Sequence, residues 1–270
     1  MAYSSWGSRG QGGVVETRID EIEDRIYRIS TFVPEIAEPA GFTFNQFVLD
    51  AEEPLLFHTG MRNLFPAVSG ALAKVMPLQR LRWIAFGHVE ADECGAMNEF
   101  LAAAPHAQVA SGVAACELSI NDMCARPPRT VANGEVLDIG GRQLRRQVRQ
   151  INTPHVPHNW EAQVMFEEAT ETLLCGDLFT HVGHGSPVTG DDLVERALDT
   201  EAAFRFTSCL TAATATLRSL AELSPHTLAI MHGSSFRGDG AGALKTLADG
   251  YESRFGPELE FVASKGVLAG

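Results

Sequence analysis

No apolar run in the chain approaches the length of a bilayer span, and the N-terminus lacks the continuous apolar core of a secretory signal. A soluble, cytoplasmic protein is the expectation, with no membrane as partner. No block of Lys and Arg occurs either: 34 acidic residues face 21 basic ones, the formal net charge is −13 and the pI is near 5.1. Such a chain repels phosphate backbones, which argues against nucleic acid as a partner. The densest basic stretch, Arg142 to Arg149, alternates with Leu144 and Val148 and reads as a strand with one solvated face. The five cysteines are irregularly spaced and contain no CxxC, so neither a disulfide framework nor a thiolate zinc site is indicated. Free thiols suit a reducing compartment. No repeat or Pro/Gly linker divides residues 20–260. The expected organisation is a flexible Ser- and Gly-rich tail over 1–16, then one domain over 17–270.

What is present is a chain of 270 residues, 45% apolar, enough for one sizeable core. Strands are expected at Arg25 to Phe32, Gly41 to Asp50, Leu55 to His58, Leu81 to Phe86, Arg145 to Ile151, Ala162 to Glu167, Thr172 to Cys175 and Leu228 to Met231. Helices are expected around Phe65 to Val75, over Glu93 to Ala104, from about Asp191 to Leu223, with Thr189 and Asp192 spaced as a capping box, and from Ala241 to Arg254. This order suggests two sheets face to face with helices outside.

The chemistry concentrates at strand ends. Phe86-Gly87-His88-Val89-Glu90-Ala91-Asp92-Glu93 follows an apolar strand, and its alternating His88, Glu90 and Asp92 point one way if the chain leaves extended. Burying that much acid calls for a cation. Three further strand ends carry matching residues: His155 or His158, Asp177 after Gly176, and His232 before Gly233. Imidazole and carboxylate without thiolate, numerous enough for two metals, suit non-haem iron or manganese, with zinc the other option. His181 and His184, in the loop after Asp177, are candidate proton donors or solvated loop residues.

The pattern resembles the metallo-β-lactamase superfamily, specifically its flavodiiron branch, in which H-x-E-x-D replaces the H-x-H-x-D-H of the hydrolases. Here it reads His88-x-Glu90-x-Asp92, with His158, Asp177 and His232-Gly233 at the later family positions. The resemblance implies an αββα sandwich with two iron ions at one sheet edge. His88, Glu90 and His158 would hold one, Asp92 and His232 the other, and Asp177 would bridge. It further implies O2 or nitric oxide (NO) as ligand, and a homodimer. No flavin phosphate loop is recognisable, so no FMN site is expected in this chain, and electrons would come from a separate partner. This points to the stand-alone oxygen-binding diiron proteins of the branch. The alternative on the same fold is a hydrolase that uses a metal-bound hydroxide.

Two positions depart from the resembled pattern. Glu93 stands where many flavodiiron proteins have His, and is either an extra ligand or a first-turn helix acid. His58 stands where the superfamily commonly has Asp, and is expected to support the site rather than ligate.

Overall fold

The computed structural model describes residues 16–141 and 145–264. Most of the expected tail lies outside these residues, as do Arg142 and Leu144. The first sheet places β1 (Thr17–Glu23), β2 (Ile26–Val33), β3 (Phe42–Leu49), β4 (Leu55–Phe57), β5 (Trp83–Ala85), β6 (Gln108–Gly112) and β7 (Arg129–Val131) side by side in chain order. Its first four strands are antiparallel, and from β4 onward the pairs are parallel. The second sheet runs β12-β14-β13-β11-β10-β9-β8. Its strands are β8 (Val136–Gly140), β9 (Arg146–Asn152), β10 (Gln163–Glu167), β11 (Thr172–Leu174), β12 (Val188–Thr189), β13 (Thr227–Ala229) and β14 (Ser235–Arg237).

The apolar residues of each strand divide between two faces because side chains alternate. Phe47, Leu49, Leu55 and Phe57 join Leu137, Val148, Met165 and Leu174 in the layer between the sheets. Their neighbours Val48 and Leu56 face the helices at Phe65–Leu72 and Met97–Ala103. On the far side, Leu173 and Leu228 pack on the helices at Val194–Phe204, Leu210–Ala221 and Gly240–Ser264. Strands buried on both faces carry the continuous apolar runs seen in the sequence. The result is the expected αββα sandwich.

Four expectations need correction. The helix of 93–104 is two pieces, Ala91–Cys94 and Met97–Ala103. The break at Gly95-Ala96 comes where the Ala96 amide donates to the Gly60 carbonyl at 2.9 Å. The long helical region of 191–223 breaks at Arg205, whose left-handed backbone (φ 56°) ends the helix Val194–Phe204. There is no capping box. Thr189 lies in β12, and Asp192 accepts from the Val194 amide at 2.8 Å. Finally, the basic stretch is not simply a solvated face. Arg146 is 2% exposed and lies 3.4 Å from fully buried Glu167. Removing one member of a buried ion pair strands the other, so Arg146→Ala should lower unfolding stability by about 3 kcal/mol in urea denaturation. A change under about 0.5 kcal/mol would mean that the turn amides around Glu167 suffice alone.

Candidate metal centre

β4, β5, β9, β11 and β13 end at one edge of the sandwich, and β10 begins there. Main-chain bonds stitch the two sheets together at this edge. The Gln163 amide donates to Gly87 O (2.8 Å) and the Asn45 amide to Met231 O (3.0 Å). The strand ends then release functional residues into the same space: His88 and Glu90 after β5, His158 before β10, Asp177 after β11, His232 after β13.

Nε2 of His88 lies 2.8 Å from Glu90 Oε2, and Nε2 of His158 lies 3.2 Å from the same oxygen. Asp177 Oδ2 is 3.1 Å from His158 Nε2 and 3.8 Å from His88 Nε2. One ligand atom from each of these four residues fits within 4.8 Å of all the others. The opposite oxygen, Asp177 Oδ1, is 3.2 Å from His232 Nε2, which is itself 3.3 Å from Asp92 Oδ2. Asp177 therefore stands between two groups and turns one oxygen to each.

The imidazoles are held by their other nitrogens. His232 Nδ1 donates to Thr43 O at 2.8 Å, and Phe42 stacks on the ring. His88 Nδ1 is 3.1 Å from Glu93 Oε1, and His158 Nδ1 is 3.3 Å from Asn159 Oδ1. An acceptor at Nδ1 fixes the tautomer and leaves Nε2 as the ligating atom, as metal-binding histidines require.

Burial pushes all three imidazoles down, but the acids outweigh it. Glu93, Glu90 and Asp177 raise His88 to about 12. Asp177 and Glu90 raise His158 to about 9, and Asp177 and Asp92 raise His232 to about 10. Hydrogen bonds from His158 and His88 draw Glu90 down to about 2. Burial opposes ionisation of Asp177, yet His158 and His232 hold it well below the usual carboxylate range. Asp92 Oδ1 is buried without a hydrogen-bond partner. No lysine or arginine lines the cavity among the described residues. Carboxylates and imidazoles gathered in this way, with a buried oxygen left over, fit a divalent cation.

The cluster forms the floor of a cavity of about 310 Å³, and Ile36, Phe42, Phe204 and Phe206 line its walls. The aromatic pair at 204 and 206 flanks Arg205, where the expected long helix breaks. Periodicity carried no signal for these two residues.

The other candidates lie elsewhere. His155 is exposed, with a left-handed backbone (φ 66°), and its amide closes a loop onto Asn159 O. It is not brought to the cluster. Glu93 is fully buried on the far edge of the His88 ring, and His58 lies beyond it. His181 is not a solvated loop residue, and it does not line the cavity. It is 2% exposed, its Nδ1 donates to Phe179 O, and its Nε2 accepts from the Ser234 amide. His184 is exposed. With His158 in the cluster and His155 outside, His155→Ala should retain full metal content by elemental analysis, and His158→Ala should not. The reverse result would exchange their roles.

Two stacked sheets with outer helices and a histidine–carboxylate cluster at one sheet edge define a metallo-β-lactamase-type fold. A family model described as ODP family beta lactamase matches residues 42–233, and the chain belongs to that family. The fold is similar to a mutant of the flavo di-iron protein from Thermotoga maritima, at TM-score 0.76 and 18% identity, covering 88% of this chain and 62% of that one. It is also similar to a metal-soaked flavodiiron core from Synechocystis, at TM-score 0.77 and 20% identity over 88% of this chain and 61% of that one. A protein described as a diflavin flavoprotein from Thermosynechococcus vestitus is 26% identical over 148 residues, 54% of this chain and 25% of that protein. The chain thus spans about six-tenths of those solved structures, and the matched segment a quarter of the curated relative.

Proposed function

We propose that the chain is a diiron protein that binds, senses or reduces O2 or NO. In this reading His88, Glu90 and His158 hold one iron, Asp92 and His232 the other, and Asp177 bridges. The position of Asp177, with one oxygen turned to each group, carries the reading. The likeness to the flavodiiron structures from Thermotoga maritima and Synechocystis supports it. A diiron centre held by these residues would supply electrons to a diatomic ligand.

The chain's own residues set the conditions for that chemistry. The carboxylates offset metal charge, which favours higher oxidation states. Thr43 O, Glu93 and Asn159 keep each ring nitrogen aimed inward. Phe42, Phe204 and Phe206 wall the cavity with apolar surface, which favours an uncharged ligand. We further propose that electrons come from a separate partner, that the protein acts in the cytoplasm, and that it is a homodimer.

One observation favours a second reading. A cavity of about 310 Å³ exceeds what a diatomic needs. That size would suit a hydrolase in which the metal pair activates water against an organic ester or phosphodiester. The test is metal content of anaerobically purified protein, with optical spectra before and after O2. About two irons per chain and a new charge-transfer band support the diiron reading. Zinc with no response to O2 would replace it with the hydrolase.

A further inference from the structure

Behind the cluster, away from the cavity, lies a buried chain of three side chains. Glu93 and His58 are both fully buried, and His88 is 2% exposed. Glu93 Oε2 accepts from the His88 amide at 2.6 Å, and Glu93 Oε1 faces His88 Nδ1 at 3.1 Å. His58 Nε2 lies 3.5 Å from the same Oε1, an ion-pair distance, and neither atom has a hydrogen-bond partner. Main-chain contacts hold the arrangement. The Thr59 amide donates to Glu93 O at 2.6 Å, and the Thr59 hydroxyl to the same oxygen at 3.1 Å. The His58 backbone is left-handed (φ 67°), a conformation that is uncommon outside glycine and turns this loop toward Glu93. Room for the carboxylate comes from glycine: a Cβ on Gly87 would lie 3.0 Å from both Glu93 oxygens. The two positions at which the sequence departs from the pattern it resembles are therefore in contact.

We propose that His58 and Glu93 form one positioning unit that locks His88 with Nδ1 protonated and Nε2 aimed at the cluster. Glu93 is not itself a ligand. Glu93 Oε2 is fixed by the His88 amide, which leaves Oε1, without a hydrogen-bond partner of its own, 3.1 Å from Nδ1, where its charge favours a proton on that nitrogen. His58 stops Glu93 from turning. Neither residue touches the ligand cavity; both act through His88. The inference rests on the proposed function in one respect, that His88 holds metal.

The experiment compares the full chain with Glu93→Gln, His58→Gln and the double variant, all near-isosteric changes. Zinc is titrated into each metal-free protein, and the histidine ring protons of the zinc-loaded forms are followed by NMR. The expected result is a downfield, slowly exchanging Nδ1 proton of His88 in the parent. It should be lost or moved upfield in Glu93→Gln and shifted in His58→Gln. Each single variant should lose about 10- to 100-fold in zinc affinity, the range for outer partners of ligating histidines. The double variant should be no worse than Glu93→Gln alone, because the two act in series.

Three results would overturn the inference. Loss of one of two zinc ions at saturation in Glu93→Gln would make Glu93 a ligand. Unchanged affinity and ring signal would reduce the pair to packing. Additive losses would separate His58 from Glu93. A parent chain that takes up no metal would instead sink the proposed ligand set itself, and the inference with it.

Discussion

Asp177→Ala should take the chain from about two bound ions to none, the largest loss available from a single side chain in the proposed set. His88, Glu90 and His158 meet at Asp177 Oδ2, whereas His232 and Asp92 stand on the other side at Oδ1. Without Asp177 the halves have no shared donor, and each loses one of its few anionic oxygens. The remaining imidazoles also lose the acid that counts among the main forces holding them charged. Asp177→Asn is the informative companion. An amide keeps the volume but offers one oxygen, so one ion should persist at reduced affinity. Elemental analysis after equilibrium dialysis reads both variants. Two ions retained in Asp177→Ala would remove Asp177 from the bridging position.

Acid should strip the site far more steeply than simple carboxylate binding would. His88, His158 and His232 are raised to about 12, 9 and 10 in the metal-free protein. At pH 7 each therefore carries a proton on the Nε2 that the metal must take. Loading should release about three protons per chain, and apparent affinity should rise by up to about tenfold per proton for each pH unit. Titration in weak buffer with a pH indicator measures the release directly. Fewer than one proton released would contradict the proposed ligand set.

The metal-free protein has a signed pH profile from the same groups. The raised imidazoles stabilise the fold fully below their ordinary value of 6.5, and that contribution fades as pH climbs through 9 to 12. The lowered Glu90 stabilises above its ordinary value of 4.5, and its contribution fades as pH falls toward 2. The melting temperature of chelator-treated protein should therefore peak between about 4.5 and 6.5. A maximum above pH 8 would mean that the imidazoles are not held charged.

The sandwich was legible because its strands are buried on both faces. Runs such as Leu55-Leu56-Phe57 and Trp83-Ile84-Ala85 carry no polar residue, and only a two-sided cover explains that. Short or edge strands escaped notice. β7 and β14 have three residues each, too few to show a period, and both are partly exposed. The single long helix expected after Asp191 failed at Arg205, where neighbouring apolar spacing continued but the backbone turned left-handed.

By itself the sequence determined which residue types stand at which strand ends, because a ligand set needs a particular chemistry at fixed places along the chain. His88, Glu90, Asp92, Asp177 and His232 could be singled out as candidates on that ground. Tertiary structure alone decided which residues meet. His155 and His158 are three positions apart, yet only the loop geometry aims one inward. Arg146 reads as one more surface cation until β9 takes its place in the second sheet and buries it beside Glu167. Glu93 and His58 are 35 positions apart and touch only because β4 and β5 end side by side. Contacts across that separation follow from packing of whole elements, and no local pattern in the chain records them.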